Sequence, residues 1–387
     1  MKRVLSLIIF GFFLVACGFI NPSGKAGPIT IGVQVDVTLA PTPLPYNLLP
    51  INASNVSEIQ PLYTMHLQGE RIEDLLAISP DKKWVAVGRK NNGPINIQRL
   101  KWDSESSFVP KGDGFTTFFL YKTTSLAFSP DSMRVAIANG ADNTVLIFSL
   151  ADLPDESDKI VLPIGARPQA VAFTKDSQKI LVGTWGGSQA ALQLWDIGTA
   201  SLEQEISGES LDSVCSAALS PDGKILAAGS CATFDISTWD VENGYAPLSQ
   251  LAGLDAADDC PSPCSKQRNI FGFNPTTGAL VSGVNFPTIL IHDLRTGNIS
   301  ATVTTQSARA GSNGGDTVGA LAVASDGAIL VMSVNQQVWL IDAKNGNVLW
   351  YYADPKRTNA VAISTDSRLM VSLNVDGDLV FWGIPSR

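Results

Sequence analysis

The sequence predicts an all-β chain folded as a seven-bladed β-propeller, each blade a four-stranded antiparallel sheet, with the ring closed by an N-terminal strand. Three observations predict it. A short phrase of apolar residues followed by Ser-Pro-Asp or a near variant recurs seven times. Its spacing of 40 to 54 residues suits four short strands and their turns. After residue 16 there is no long apolar stripe of helical period, while Gly, Pro, Ser, Thr and Asp punctuate the chain every few residues.

From the N-terminus, Met1-Lys2-Arg3 supplies positive charge and Val4 to Val15 an apolar run too short to span a bilayer comfortably. The run ends in Leu14-Val15-Ala16-Cys17, which resembles the lipobox of bacterial lipoproteins. That resemblance implies a signal peptide over residues 1–16, removed to leave an acylated, palmitate-bearing Cys17. It also implies a domain outside the cytoplasm, lipid-anchored to a membrane of the bacterial cell envelope. Two or three acyl chains hold a domain stably, where one does so only marginally. Residues 17–57 read as a Pro-rich tether, with Pro28, Pro41, Pro43, Pro45 and Pro50 among few charges. Residues 58–387 remain for the propeller.

Each repeat opens with its phrase: Leu76-Ala77-Ile78-Ser79-Pro80-Asp81, Leu126-Ala127-Phe128-Ser129-Pro130-Asp131, and so on to Val361-Ala362-Ile363-Ser364-Thr365-Asp366. The apolar residues suit a buried strand. Pro presets φ, Asp bonds nearby backbone and Gly permits positive φ, so the rest suits a tight turn. A second apolar strand follows, such as Ile225-Leu226-Ala227-Ala228. A third ends in an aromatic or apolar residue and often Asp, as in Leu192-Gln193-Leu194-Trp195-Asp196 and Ile236-Ser237-Thr238-Trp239-Asp240. Trp195, Trp239, Trp339 and Trp382 are expected to share one strand position and pack between blades. A turn such as Glu242-Asn243-Gly244 then begins the outer strand.

These residues resemble the WD-repeat family over 58–387. The Trp-Asp pair stands at 195–196 and 239–240, but the family's Gly-His pair is absent throughout, so the buried tetrad built on that His cannot form. The last repeat ends just after its third strand. Residues 61–67, ahead of the first phrase, are expected to supply the missing outer strand by pairing with Leu379–Trp382, leaving no long edge open.

Four cysteines remain besides Cys17. Cys215 and Cys231 lie eight residues either side of Gly223, facing each other across a hairpin centred there, and Cys260 and Cys264 would close a small loop. Structural disulfides are expected at both pairs. A metal site would want further ligands, and the two histidines, His66 and His292, stand in different strands. No cofactor or metal is expected.

The net charge of −9, or −11 once Lys2 and Arg3 are removed with the signal, excludes the basic footprint of a nucleic-acid binder. Contact with the membrane would be through lipid only. No Gly-x-Ser-x-Gly elbow, His-Glu-x-x-His helix or phosphate loop is present, and the turn aspartates recur for a structural reason, so no catalytic residue is assigned. Residues 165–173 resemble a repeat of lactonase-type and surface-layer propellers, which keeps an extracytoplasmic hydrolase as the alternative. The leading expectation is a non-catalytic module that binds or scaffolds another protein or an envelope component. Its partner-binding residues are expected in the loops that enter first strands (Arg71, Arg167, Arg268, Arg357) and those joining second to third strands (Arg89, Trp185, Phe234, Phe286).

Overall fold

The computed structural model describes residues 47–67, 74–89, 92–100, 116–153, 158–186, 191–206, 213–230, 235–251, 271–285, 288–294, 296–304, 318–334, 337–353, 356 and 358–386. All lie within one compact unit, Gln34–Arg387. Apart from one 3-10 turn, Val56–Glu58, the regular structure of the described residues is strand. Six four-stranded antiparallel meanders span 74–121, 123–163, 167–206, 214–251, 271–304 and 318–352. The seventh joins Thr358–Ile363, Met370–Asn374 and Asp378–Pro385 to the N-terminal strand Gln60–His66. The expected seven-bladed propeller is the observed fold.

Each phrase ends its inner strand in a side-chain-locked turn. In blade one Ser79 Oγ donates to Asp81 Oδ1 (2.6 Å) and accepts the Trp84 N–H (3.0 Å), while the same carboxylate oxygen accepts the Lys83 N–H (3.0 Å). The set recurs at Ser129-Asp131, Thr174-Asp176, Ser220-Asp222 and Ser364-Asp366. Hydroxyl and then backbone hydrogen bonds hold the Asp176 and Asp222 carboxyls below the usual carboxylate range. These aspartates are turn hardware.

Each turn also places one residue in the left-handed region. It is Gly223, Gly278 and Gly327 in blades four to six, but Lys82, Ser132, Ser177 and Ser367 in the others. The non-glycine side chains reach the neighbouring blade. Ser132, Ser177 and Ser367 Oγ accept the N–H groups of Asp81 (3.0 Å), Asp131 (3.2 Å) and Ser325 (2.6 Å), and Lys82 Nζ pairs with Asp366. With Lys175 Nζ to the Asp222 carbonyl (3.4 Å) and Asn274 Nδ2 to that of Gly327 (3.0 Å), turn-to-turn bonds cross six of the seven seams among the described residues.

Apolar burial follows the seams too. Seven buried clusters each draw on two neighbouring blades, so the core is a ring of interfaces rather than one centre. The third-strand residue paired with the start of the second strand fills each interface. It is Trp195, Trp239 and Trp382 in blades three, four and seven, and Gln98, Phe148, His292 and Ile341 elsewhere, all buried. Trp339 does not share the position as expected. It stands two residues before Ile341, which takes the seat. In blade seven Trp382 Nε1–H donates to Ser372 Oγ (2.9 Å), and in blade five His292 Nε2 meets the equivalent Ser282 Oγ (2.8 Å). The histidine takes the place of the tryptophan, and its ring nitrogen meets the same serine position. Burial pushes its pKa down, which keeps it neutral.

Closure runs as expected and further. Gln60–His66 pairs with the last strand from Gln60↔Gly383 to His66↔Asp378. Upstream, Leu48–Leu49 adds two pairs to the same strand, Leu48↔Pro385 and Leu49↔Ile384. Ile51, Val56 and Ile59 are buried with Trp382, Tyr352 and Met370 at the seam of blades six and seven. Residues 47–57, expected as the end of the tether, are therefore part of the propeller. The Pro-rich composition reads as extended, and extended backbone is what a strand-side latch requires. Asp378 locks the other end, accepting from His66 Nδ1 (2.7 Å), Lys356 Nζ (3.0 Å) and Asn374 Nδ2 (3.0 Å). Burial alone would raise its pKa, but these three bonds outweigh it and hold the carboxyl low.

Candidate interaction face

A four-strand meander puts the phrase turns on one side of the ring, the turn face. The loops between blades and those between second and third strands emerge on the other, the loop face. Of the partner-binding residues named above, the described ones, Arg89, Arg167 and Trp185, belong to the loop face. Two of them meet. Arg167 opens the inner strand Arg167–Phe173 and Trp185 closes the second strand Lys179–Trp185, and the two are paired across the hairpin. The Arg167 guanidinium carbon lies 6.0 Å from the Trp185 ring centroid, a cation–π contact. Trp185 is 50% exposed, where the aromatics of the seams are buried.

Glycine shapes the same spot. A methyl group at Gly140, in the second turn of blade two, would stand 2.9 Å from the Lys122 carbonyl oxygen and 3.0 Å from Arg167 Nε. Only a residue without Cβ lets the three groups converge at the seam of blades two and three. Lys122 is itself the whole connection from blade one, between Thr116–Tyr121 and Thr123–Phe128, and is exposed with φ 59.

Among the described residues five inner strands carry a bulge at this end, at Thr124, Gln169, Cys215, Gly319 and Asn359. A bulge adds one residue and re-aims it. Thr124 shows the result, its Oγ1 donating to the Pro168 carbonyl of the next blade (2.7 Å). Sequence pattern does not reveal these positions, because an inserted residue leaves the apolar run intact.

Of the other expected site residues, Arg89 ends the second strand of blade one, paired with Asp74. Cys215 fills its bulge, between the pairs Val214↔Ser230 and Ser216↔Gly229. Cys17, Arg71, Cys231, Phe234, Cys260, Cys264, Arg268, Phe286 and Arg357 lie outside the described residues. Among the described residues no group of three or more His, Cys, Asp or Glu is placed to hold a metal ion.

A family model described as WD domain, G-beta repeat matches residues 201–240. The match runs from the outer strand of blade three, Ser201–Ile206, through three strands of blade four to Trp239-Asp240. It is offset from the blade by one strand, the offset that an N-terminal closing strand imposes on the whole ring. No curated protein matches the chain significantly. With that repeat set among seven blades of one build, the chain is a WD-repeat-like seven-bladed β-propeller.

Proposed function

We propose that the chain is a non-catalytic binding module that holds a protein partner of the cell envelope against its loop face, carried on a membrane by acyl chains at Cys17. WD-repeat propellers commonly bind other proteins, and a closed ring offers a rigid frame for such contacts. The observation that carries the reading is the exposed Trp185 beside Arg167. Aromatic and arginine side chains together are the composition of interaction hot spots. A disulfide from Cys215 to Cys231 would brace the same rim, since Cys231 directly follows Ser230, the partner of Val214.

The anchor suits this arrangement. The described residues begin at Asn47, whose carbonyl accepts the Ser386 N–H (2.8 Å), on the turn face beside Ser367 and Arg368. Twenty-nine residues lie between Cys17 and Asn47 in the sequence. The intervening residues reach at most about 100 Å when fully extended.

A photo-crosslinking amino acid at position 185, with a control at the exposed outer-strand Leu248, tests the binding role in intact cells. Discrete adducts from 185 alone are expected. Equal adducts from both positions, or none from 185, overturn the reading. Incorporation of an alkyne-tagged palmitate, lost in Cys17→Ala, tests the anchor.

A further inference from the structure

We propose that the ring is built to part at the seam of blades four and five when its surroundings acidify, with the buried His292 as the trigger. The device is independent of what the loop face binds.

The first support is a seam with fewer fastenings. Among the described residues, the seam of blades four and five is the one that no turn-to-turn bond crosses. In blades two, three and seven the left-handed serine of the turn reaches back to the preceding blade. Blade five has Gly278 at that place, with no side chain to reach across. A methyl group at Gly223 or Gly327 would meet Lys175 or Asn274, the side chains that span those seams, but at Gly278 nothing lies within 4 Å. The inner strand of blade five, Phe271–Phe273, is the shortest of the seven among the described residues. Six buried apolar residues fill this seam among the described residues, where each of the others holds eight or more.

The second support is what fills the seat. The seat residue of a blade faces the blade before it: Trp195 packs with blade two, Trp239 with blade three and Trp382 with blade six. By the same placement His292 stands in the seam of blades four and five, almost wholly buried, with Ser282 Oγ 2.8 Å from its Nε2. Burial lowers its pKa, and no charge among the described residues contributes. Phe271–Phe273, Leu280–Asn285 and Asn298–Thr304 of its own blade carry no charged residue, nor do Val214–Leu219, Ile225–Ser230 and Ala246–Leu251 of blade four. Asp293 follows His292 on its strand and so faces the other side of the sheet. Asp240 is taken up by the N–H groups of Glu242 and Asn243, and Lys224 pairs with Glu242. An imidazolium in the closed seam is therefore a buried charge without a counter-ion, and parting the seam hydrates it.

The closed seam favours the neutral ring, while a parted seam admits both forms. Above about pH 6.5 the imidazole is neutral in either state and the ring stays shut. Below it the parted form binds the extra proton, and parting rises by up to about tenfold per pH unit until the closed form protonates too. The test labels thiols in the full chain carrying Ala227→Cys, in the seam of blades four and five, or Ala136→Cys, in that of blades two and three. Both alanines are fully buried. The ratio of the two labelling rates from pH 7.5 to 5.5 cancels the thiol's own pH dependence. It is expected to be flat above about pH 6.5 and to climb below it, by up to about tenfold per unit. His292→Gln and His292→Trp, which copy the seats of blades one and seven, are expected to remove the climb, while His66→Gln keeps it. A flat ratio without these substitutions, a climb that survives either His292 variant, or its loss in His66→Gln overturns the proposal.

Discussion

Ser177 shows how a single residue serves two blades. Its backbone is left-handed at φ 61, and its buried hydroxyl accepts the Asp131 N–H of the preceding blade. Ser177→Ala keeps the strain and removes the acceptor, while Ser177→Gly removes both. The alanine variant is expected to lose about 1–2 kcal/mol, and the glycine variant less. Thermal unfolding checks the order, and an alanine variant as stable as the glycine one would refute it. His292 gives a pH signature. Its folded pKa lies below the unfolded value, so the unfolded chain binds more protons between the two. Its stabilising share is complete above about pH 6.5 and declines as the pH falls from there toward the folded value. Gln98 occupies the equivalent seat in blade one, so His292→Gln is expected to flatten this limb in denaturant titrations from pH 7.5 to 5. The turn aspartates and the seated tryptophans are legible in the sequence because they repeat within one unit. The serine bond is not, since its partners stand 46 residues apart and no single repeat carries both. Arg167 and Trp185 are each legible as loop-face residues, but their contact depends on the pairing of one bulged hairpin.

The closing strand was within reach of the sequence because a blade lacking its fourth strand leaves an edge to fill, and residues 61–67 lie just ahead of the first phrase, where an outer strand belongs. The latch before it was not. Pro50 and neighbouring prolines suggest a spacer, and the burial of Ile51, Val56 and Ile59 depends on a seam built almost 300 residues later. Ile51 packs there with almost no exposure. Ile51→Ala is expected to cost about 2–4 kcal/mol, with the loss read by chemical denaturation. A loss within a few tenths of a kcal/mol would show that the latch only rests on the surface.

The ring makes stability collective. Every blade contributes to two apolar interfaces, so opening one seam exposes surface on both neighbours. A chain starting at residue 68 lacks both N-terminal strands and leaves Asp378–Pro385 as an open edge, with the blade six–seven and seven–one seams stripped of their N-terminal side chains. It is expected to self-associate or aggregate, while a chain starting at residue 47 stays monomeric. Size-exclusion chromatography with light scattering separates the two outcomes, and a monomeric, well-folded chain from residue 68 would contradict the closure argument.

Leu48–Leu49 and Gln60–His66 both run antiparallel to the final strand, and Asn47 directly precedes the first of them. A force transmitted through that point pulls lengthwise along the strand. Its backbone bonds would then be strained side by side in shear, instead of peeling apart in succession like a zip. A body tugged by a moving membrane or a diffusing partner would hold or fail there as a block, with the buried isoleucines of the latch serving as the cleat.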